Sequence, residues 1–236
     1  MKPNKLAITI AVASMVAISG GMLTMAVPAK AGCTDAPVPG VDWSKCRKRN
    51  VILSEYNLSD ANLSSADLSG SDIRNSRLKS ADLAKVMMNR TNFNKSDLSG
   101  ANLSKVEGTR SNFVGAKLIG TNFNKAAIFR GNFSGAFLNG ADFSKSELGR
   151  SNFSSAALSN VNFQFANISR VNFIGALMDG VDMGNAWLYR ARFHGTDLSM
   201  VKNLKQSQIE LACGDLKTKL PEAIAMPASW PCAKDE

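Results

Sequence analysis

Residues 61–70 read ANLSSADLSG, two five-residue units in which a small residue, an Asp or Asn, and a leucine recur in that order. Counting by fives from Leu53 meets a large apolar residue almost every time: Leu58, Leu63, Leu68, Ile73, Leu78, Leu83, Met88, Phe93 and onward to Leu198, with Gly108 the exception. Two places earlier runs a column of mostly small residues, among them Ala61, Ala66, Ser71, Ser76 and Ala81. A period of five matches neither the 3.6 of a helix nor the 2 of a strand. It matches a chain that turns a corner every fifth residue, with the large and small apolar members inside and the rest in water.

A second period lies over the first. Arg90, Arg110, Arg130, Arg150, Arg170 and Arg190 recur every 20 residues, as do Lys85, Lys105, Lys125 and Lys145. Phe93, Phe113, Phe133, Phe153, Phe173 and Phe193 make one core column at the same spacing. Phe123, Phe143 and Phe163, extended by Leu103 and Met183, make another, so two facing walls carry rings and two carry aliphatics. Stacked coils would sit about 4.8 Å apart, as neighbouring strands do. Gly108, with Met88 and Ile128 above and below it in its column, reads as a gap that flexible Met88 leans into.

The units ANLSS, ADLSG, SDLSG, ANLSK and ADFSK resemble the pentapeptide-repeat family, over about 150 residues. The resemblance implies an all-β solenoid, a right-handed quadrilateral β-helix of four units per coil, with about seven to eight coils over residues 51–203. It also brings one activity into view, since some members mimic DNA and protect gyrase from quinolones. Those surfaces are acidic, and the charged walls here are basic.

The ends read differently from the shaft. Lys2 and Lys5 precede an uncharged stretch from Leu6 to Ala29, and A-K-A at 29–31 fits signal-peptidase cleavage, so residues 1–31 read as a signal peptide. The rivals are an uncleaved anchor and a lipoprotein site at Cys33; Pro28 with the A-x-A weighs against the first, Lys30 against the second. With that signal the protein is expected to be exported, periplasmic or secreted, and since no later stretch is apolar enough to span a membrane, the mature chain is expected to be soluble. The chain carries a formal +9; without Lys2, Lys5 and Lys30 it keeps 25 basic against 19 acidic residues, or +6. Cys33, Cys46, Cys213 and Cys232 allow three pairings, of which Cys33–Cys46 and Cys213–Cys232 are the simplest. There is no C-x-x-C and only His194 to help, so no metal is expected. Residues 32–50 read as an N-terminal cap with Trp43 over the core. Residues 204–236 read as a short amphipathic helix, with Leu204, Ile209 and Leu211 inward, and a Pro-punctuated, disulfide-closed tail.

Outward, two adjacent sides carry the Arg and Lys columns and the other two carry mostly glycine, such as Gly115, Gly135, Gly175 and Gly195, or Gly100, Gly120, Gly140 and Gly180. Trp187 and Tyr189 flank Leu188 beside Arg170 and Arg190, and Trp, Tyr and Arg are the residues that dominate protein-binding hot spots. A merely solvated surface would pair Glu107 with Arg110, Glu147 with Arg150, Asp82 with Lys85 and Asp142 with Lys145. No nucleophile–base set, phosphate loop or H-E-x-x-H is present, and His194 falls at an outward position, so neither catalysis nor a cofactor is expected. The reading is an exported, non-enzymatic scaffold or binding module that docks a protein through the Arg, Lys and aromatic wall. Its alternative is a binder of anionic envelope polymer or nucleic acid, and a gyrase-protecting DNA mimic ranks third. A homodimer is compatible with all three.

Overall fold

The structure, a computed structural model, describes residues 32–232; the expected signal peptide lies outside them. One unit, Ala66-Asp67-Leu68-Ser69-Gly70, shows how the sequence sets the backbone. Each of its five N–H groups has its own acceptor. Ala66 N–H closes a turn on Leu63 O at 2.9 Å, Asp67 N–H reaches back one coil to Cys46 O at 2.9 Å, and Leu68 and Gly70 N–H reach forward to Met87 O and Asn89 O, each at 2.8 Å. Ser69 N–H, left over, donates to Asp67 Oδ1 at 3.0 Å. The Asp or Asn of the unit therefore caps the N–H two residues on, a local bond these short side chains favour.

The fifth residue of each unit is the third residue of that turn. From Gly40 to Gly195 every fifth residue, without a gap, lies at φ between +54° and +73°. That is the position a type II turn gives to Gly or Asn. Glycine, asparagine, lysine and arginine thus share a column because of the turn.

Parallel bridges between residues 20 apart run from Asp42–Asn62 to Asp182–Lys202, one on each of four faces per coil except between Leu177 and Asp197. We number the faces by their bridge columns: face 1 carries Asp42, Asn62 and successors; face 2, Arg47, Asp67, Met87; face 3, Ile52, Asp72, Asn92; face 4, Asn57, Arg77, Asp97. Two three-residue strands, β1 (Glu107–Thr109) and β2 (Ala127–Phe129), lie on face 2 in parallel register.

The core is two ladders of rings. On face 3, Phe93 through Phe193 stack with centroids 4.6–5.5 Å apart. On face 1, Phe123, Phe143 and Phe163 stack at 4.4 and 5.3 Å. Across the shaft the ladders meet edge to face at 5.7–6.1 Å, one of the geometries aromatic rings prefer. Serine or threonine fits the small column because its hydroxyl finds a carbonyl one coil back: Ser96 donates to Ile73 O at 2.6 Å and Thr91 to Leu68 O at 2.8 Å. At Gly108 an added Cβ would lie 2.6 Å from Ser111 Oγ and 3.0 Å from Met88 Cγ, so the serine and the methionine together occupy the gap. Gly131 is tighter: an added Cβ would lie 2.6 Å from Ile128 Cγ2 and 3.0 Å from Phe133 Cε2. Gly131→Ala is therefore expected to cost about 1–3 kcal/mol by overpacking, read as a lower denaturation midpoint; an unchanged midpoint would contradict this packing.

Both ends depart from expectation. The shaft starts before residue 51, since Asp42 and Arg47 already bridge to Asn62 and Asp67. Val41-Asp42-Trp43-Ser44-Lys45 is a full unit, with Asp42 Oδ1 accepting from Ser44 N–H at 2.8 Å. Trp43 accordingly heads the core column that continues in Leu63, instead of lying across the end, and the Lys48 ammonium sits 3.7 Å from its ring centroid. At the other end Arg192 bridges Cys213 and Asp197 bridges Lys219, so the ladder runs past residue 203 with insertions. The insertion holds α1 (Gln206–Ile209), a single helical turn. Ile209 points inward as expected, but Leu211 is exposed and Gln208 is buried instead. The reason is polar: Gln208 Nε2 donates to Met183 O and Ala186 O, both at 2.8 Å. Met183 O also accepts the turn bond from Ala186 N–H at 3.1 Å, and the Gln208 amide gives Ala186 O the donor that a next regular coil would have supplied. His194, expected outward, is covered by the tail, its Nε2 3.5 Å from Cys232 O. Cys33 with Cys46 and Cys213 with Cys232 stand at disulfide geometry, Cα–Cα 5.4 and 5.5 Å.

Candidate functional site

Faces 1 and 3 keep Asp or Asn in the bridge column almost throughout, and their side chains form ladders such as Asn172 Nδ2 to Asn152 Oδ1 at 3.2 Å. Face 2 does not. Its column reads Arg47, Asp67, Met87, Glu107, Ala127, Glu147, Asn167, Trp187. The fourth-position column beside it reads Asn89, Thr109, Phe129, Gly149, Ser169, Tyr189. Here the outer surface is released from the repeat's turn-capping pattern.

Both long edges of face 2 are cationic. The six arginines from Arg90 to Arg190 share the corner with face 3, all in the left-handed region at φ 54–62°. Lys85, Lys105, Lys125 and Lys145 share the opposite corner, at φ 58–60°. An L side chain there costs about 1–2 kcal/mol that glycine would not. The corners of face 4 mostly use glycine; over these coils the arginine corner never does.

Among the described residues, these arginines and lysines have no carboxylate within ion-pair distance. Among the described residues the ion pairs are Arg49–Asp67, Arg74–Asp72, Lys79–Asp97 and Lys219–Asp197. The four expected surface pairs do not form, and for Asp82, Asp142 and Glu147 the backbone and neighbouring amides engage the acid instead. Asp82 Oδ1 accepts from Ala84 N–H at 3.0 Å and Asn102 Nδ2 at 2.9 Å, Asp142 Oδ1 from Ser144 N–H at 2.9 Å, and Glu147 Oε2 from Asn167 Nδ2 at 2.8 Å. Glu107 makes no ion pair.

The shortest of the existing pairs is Lys219–Asp197, at 2.8 Å. The Lys219 ammonium, with the Ser199 hydroxyl and N–H, holds the Asp197 carboxyl down to about 2. A depressed carboxyl adds stability above its ordinary range and loses it as the pH falls toward about 2; both partners are exposed, so the contribution is small. An NMR titration is expected to place Asp197 near 2, with Lys219→Ala moving it up; a midpoint unmoved by that substitution would contradict the pair.

Toward the C-terminal end, face 2 holds a shallow pocket of about 410 Å³. Phe129 walls one end, Trp187 and Tyr189 the other, and Gly149 with Ser169 form the floor. The floor is low because this column falls from Phe to Gly and Ser for two coils, then rises to Tyr. Trp187 and Tyr189 lie 6.4 Å apart at 20°, and the Arg190 and Arg170 guanidiniums stand 5.6 and 6.0 Å from the Tyr189 ring, within cation–π range. Arg130, Arg150 and Arg170 line the edge. Of the residues singled out from sequence, the structure gathers Arg130, Arg150, Arg170, Trp187 and Tyr189 here, with Arg190 adjoining. Arg90 and Arg110 extend the row away from the pocket, and the four lysines stand across the face, outside it. The reading missed Gly149 and Ser169, whose signal is small residues interrupting a column of larger ones. Among the described residues no group of three His, Cys, Asp or Glu is placed to hold a metal, and no helix is long and apolar enough to cross a membrane.

Comparison with known proteins finds two family models on this chain. One, described as a pentapeptide repeat region, matches residues 107–182. The other, pentapeptide repeats in eight copies, matches 49–79, 57–94, 88–124 and 166–199. Among solved structures, full-length QnrB1, a plasmid-mediated fluoroquinolone resistance protein, is 14% identical with a TM-score of 0.55, covering 77% of this chain and 91% of that one. HetL from the cyanobacterium Nostoc sp. strain PCC 7120, involved in heterocyst differentiation regulation, is 23% identical with a TM-score of 0.33, covering 78% and 84%. At 14% identity the likeness to QnrB1 is one of fold. No curated protein matches.

Proposed function

The chain belongs to the pentapeptide-repeat family, whose solved relatives are right-handed quadrilateral β-helices, and from that premise we propose that it is an exported, non-enzymatic binding module that docks an acidic partner protein through face 2. The observation that carries this reading is the unpaired arginine row bordering an aromatic-walled pocket. The row occupies backbone positions where glycine would be less strained, and no acid among the described residues pairs with it. Carboxylates presented by a partner would accept charge-assisted bonds from it. Phe129, Trp187 and Tyr189 supply the apolar anchor such interfaces concentrate near their centre. The shaft is read as about seven to eight coils with α1 and the tail closing its C-terminal end. Two cysteine pairs at disulfide distance are consistent with an oxidising compartment and support export; cleavage after Ala31 rests on the sequence of the first 31 residues.

Arg90 and Arg110 run beyond the pocket, which favours an anionic polymer as the second reading. A basic face 2 gives no support to DNA mimicry. The test is capture of envelope-fraction components on the immobilised protein, at low salt and at about 0.5 M, where exposed charges are screened within a few ångströms. A protein ligand retained at high salt and lost with Trp187→Ala supports the reading. Retention that collapses with moderate salt and ignores Trp187→Ala identifies a polyanion instead. Retention unaffected by either change removes face 2 from consideration.

A further inference from the structure

Face 4 is the opposite of face 2 in its edges. Its two corners through the central coils are Gly115, Gly135, Ser155, Gly175 and Gly195 on one side, and Gly100, Gly120, Gly140, Asn160 and Gly180 on the other. From Gly115 to Gly195 no long side chain stands at these corners; Lys95, in the coil of Asp97, is the exception, so a second flat surface can approach the central coils closely. Its bridge column reads Asp97, Lys117, Phe137, Ala157, Leu177, and one coil on Asp197 bridges Lys219. Phe137 and Leu177 are 48% and 64% exposed, and the neighbouring Ile119 and Met200 are 47% and 65% exposed. Phe137 and Leu177 are large apolar residues in positions that faces 1 and 3 give to Asp and Asn.

The column is self-complementary when read backwards about Ala157. Phe137 corresponds to Leu177, Lys117 to Asp197, and Asp97 to Lys219. We propose that face 4 is a self-association surface, on which two copies of this chain pair antiparallel about a two-fold axis beside Ala157.

In a two-fold interface each contact occurs twice, residue i on j and j on i. Antiparallel face-to-face pairing keeps each column over itself and reverses the coil order. It sets Phe137 on the partner's Leu177 and Ile119 beside the partner's Met200. It brings Lys117, which has no ion pair of its own, to the partner's Asp197; there it joins Lys219, which already holds that carboxylate at 2.8 Å. Asp97, held by Lys79 at 3.5 Å, meets the partner's Lys219 in the same way. Asp179 falls opposite the partner's Asn139, whose amide can donate to it. A parallel arrangement would set Lys117 on Lys117 and Asp197 on Asp197, and like charges in register repel. The matched column spans six coil steps, about 29 Å. One side of a square shaft over that length is a small interface, so the dimer is weak, in the micromolar range.

The test is sedimentation equilibrium of the purified chain across a concentration series. The expected result is a monomer–dimer equilibrium. Phe137→Asp with Leu177→Asp should give a monomer at all concentrations with an unchanged thermal melt, because both side chains lie outside the core. Lys117→Glu, which faces the partner's Asp197, should raise the dissociation constant about tenfold or more. A spin label at Ser80, four coils from Ala157, should report an interprotomer distance near 38 Å. A wild-type monomer at every concentration, a dimer that survives the double aspartate variant, or labels at Ser80 close together would each overturn the proposal. The Arg130, Arg150 and Arg170 side chains stand at the corner of faces 2 and 3, away from face 4, so replacing them should leave this dimer intact whether or not face 2 binds a partner.

Discussion

Replacing Phe133 with alanine is expected to remove about 3–5 kcal/mol of stability, the upper range for emptying a buried aromatic site. The Phe133 ring stacks on Phe113 at 4.8 Å and on Phe153 at 4.6 Å, and meets Phe123 and Phe143 edge to face at 6.0 and 5.8 Å. Sites that collapse after truncation lose less than sites that cannot. This one cannot, because the coil rise is fixed by backbone bonds on every face, including Phe133 N–H to Asn152 O at 2.7 Å. A solenoid's stability is mainly nearest-neighbour, so a hole in a middle coil weakens the coupling between the two halves. Denaturant unfolding should show a lower midpoint, and amide protection should fall most in the coils holding Phe113 and Phe153. Phe193→Ala, with one stacked neighbour at 5.2 Å, should cost less. A loss below about 1 kcal/mol at Phe133 would mean that the rings are not a continuous core.

The triple replacement Arg130→Gly, Arg150→Gly and Arg170→Gly is expected to weaken partner binding about a hundredfold or more while leaving the fold intact. Each guanidinium lines the pocket edge, and hot-spot arginines commonly cost about 2 kcal/mol or more when truncated. Glycine is the informative substitute. All three residues have φ of 54–62°, so glycine relieves backbone strain that alanine would retain. The melting midpoint should therefore stay level or rise as binding falls. The matching change at Lys105, Lys125 and Lys145, on the far edge, should cost less than about tenfold, as rim charges do. Undiminished binding by the arginine variant would end the proposed role of the row.

The winding was legible because two periods coincide in different residue classes. Leucine and phenylalanine mark every fifth position, and arginine marks every twentieth. The reason for the arginine column was not. Its positive φ is a backbone property, and only the mixing of Gly, Asn, Ser, Lys and Arg in one column hints at it. The surface pairs failed for a related cause: Asp82 and Asp142 look free in sequence, but in the turn each caps the N–H two residues on. The N-terminal boundary slipped because Trp43 stands where later units have Leu or Phe, and Lys48 where they have Leu, which hides two units. His194 sits in a column that is partly open elsewhere, and only the returning tail buries it. The pocket was half legible: Trp187, Tyr189 and the arginines stand out, whereas Gly149 and Ser169 matter for what they leave empty.

The claim beneath all of this is that residues 20 apart stand directly above one another. Spin labels at Arg90 paired in turn with labels at Arg150, Arg170 and Arg190 measure it by pulsed electron resonance. Distances rising by about 5 Å for each added 20 residues, in line with strand spacing, are the predicted result. Distances that rise in larger steps, or that fail to rise in order along the row, would contradict the winding and with it the reading of both faces.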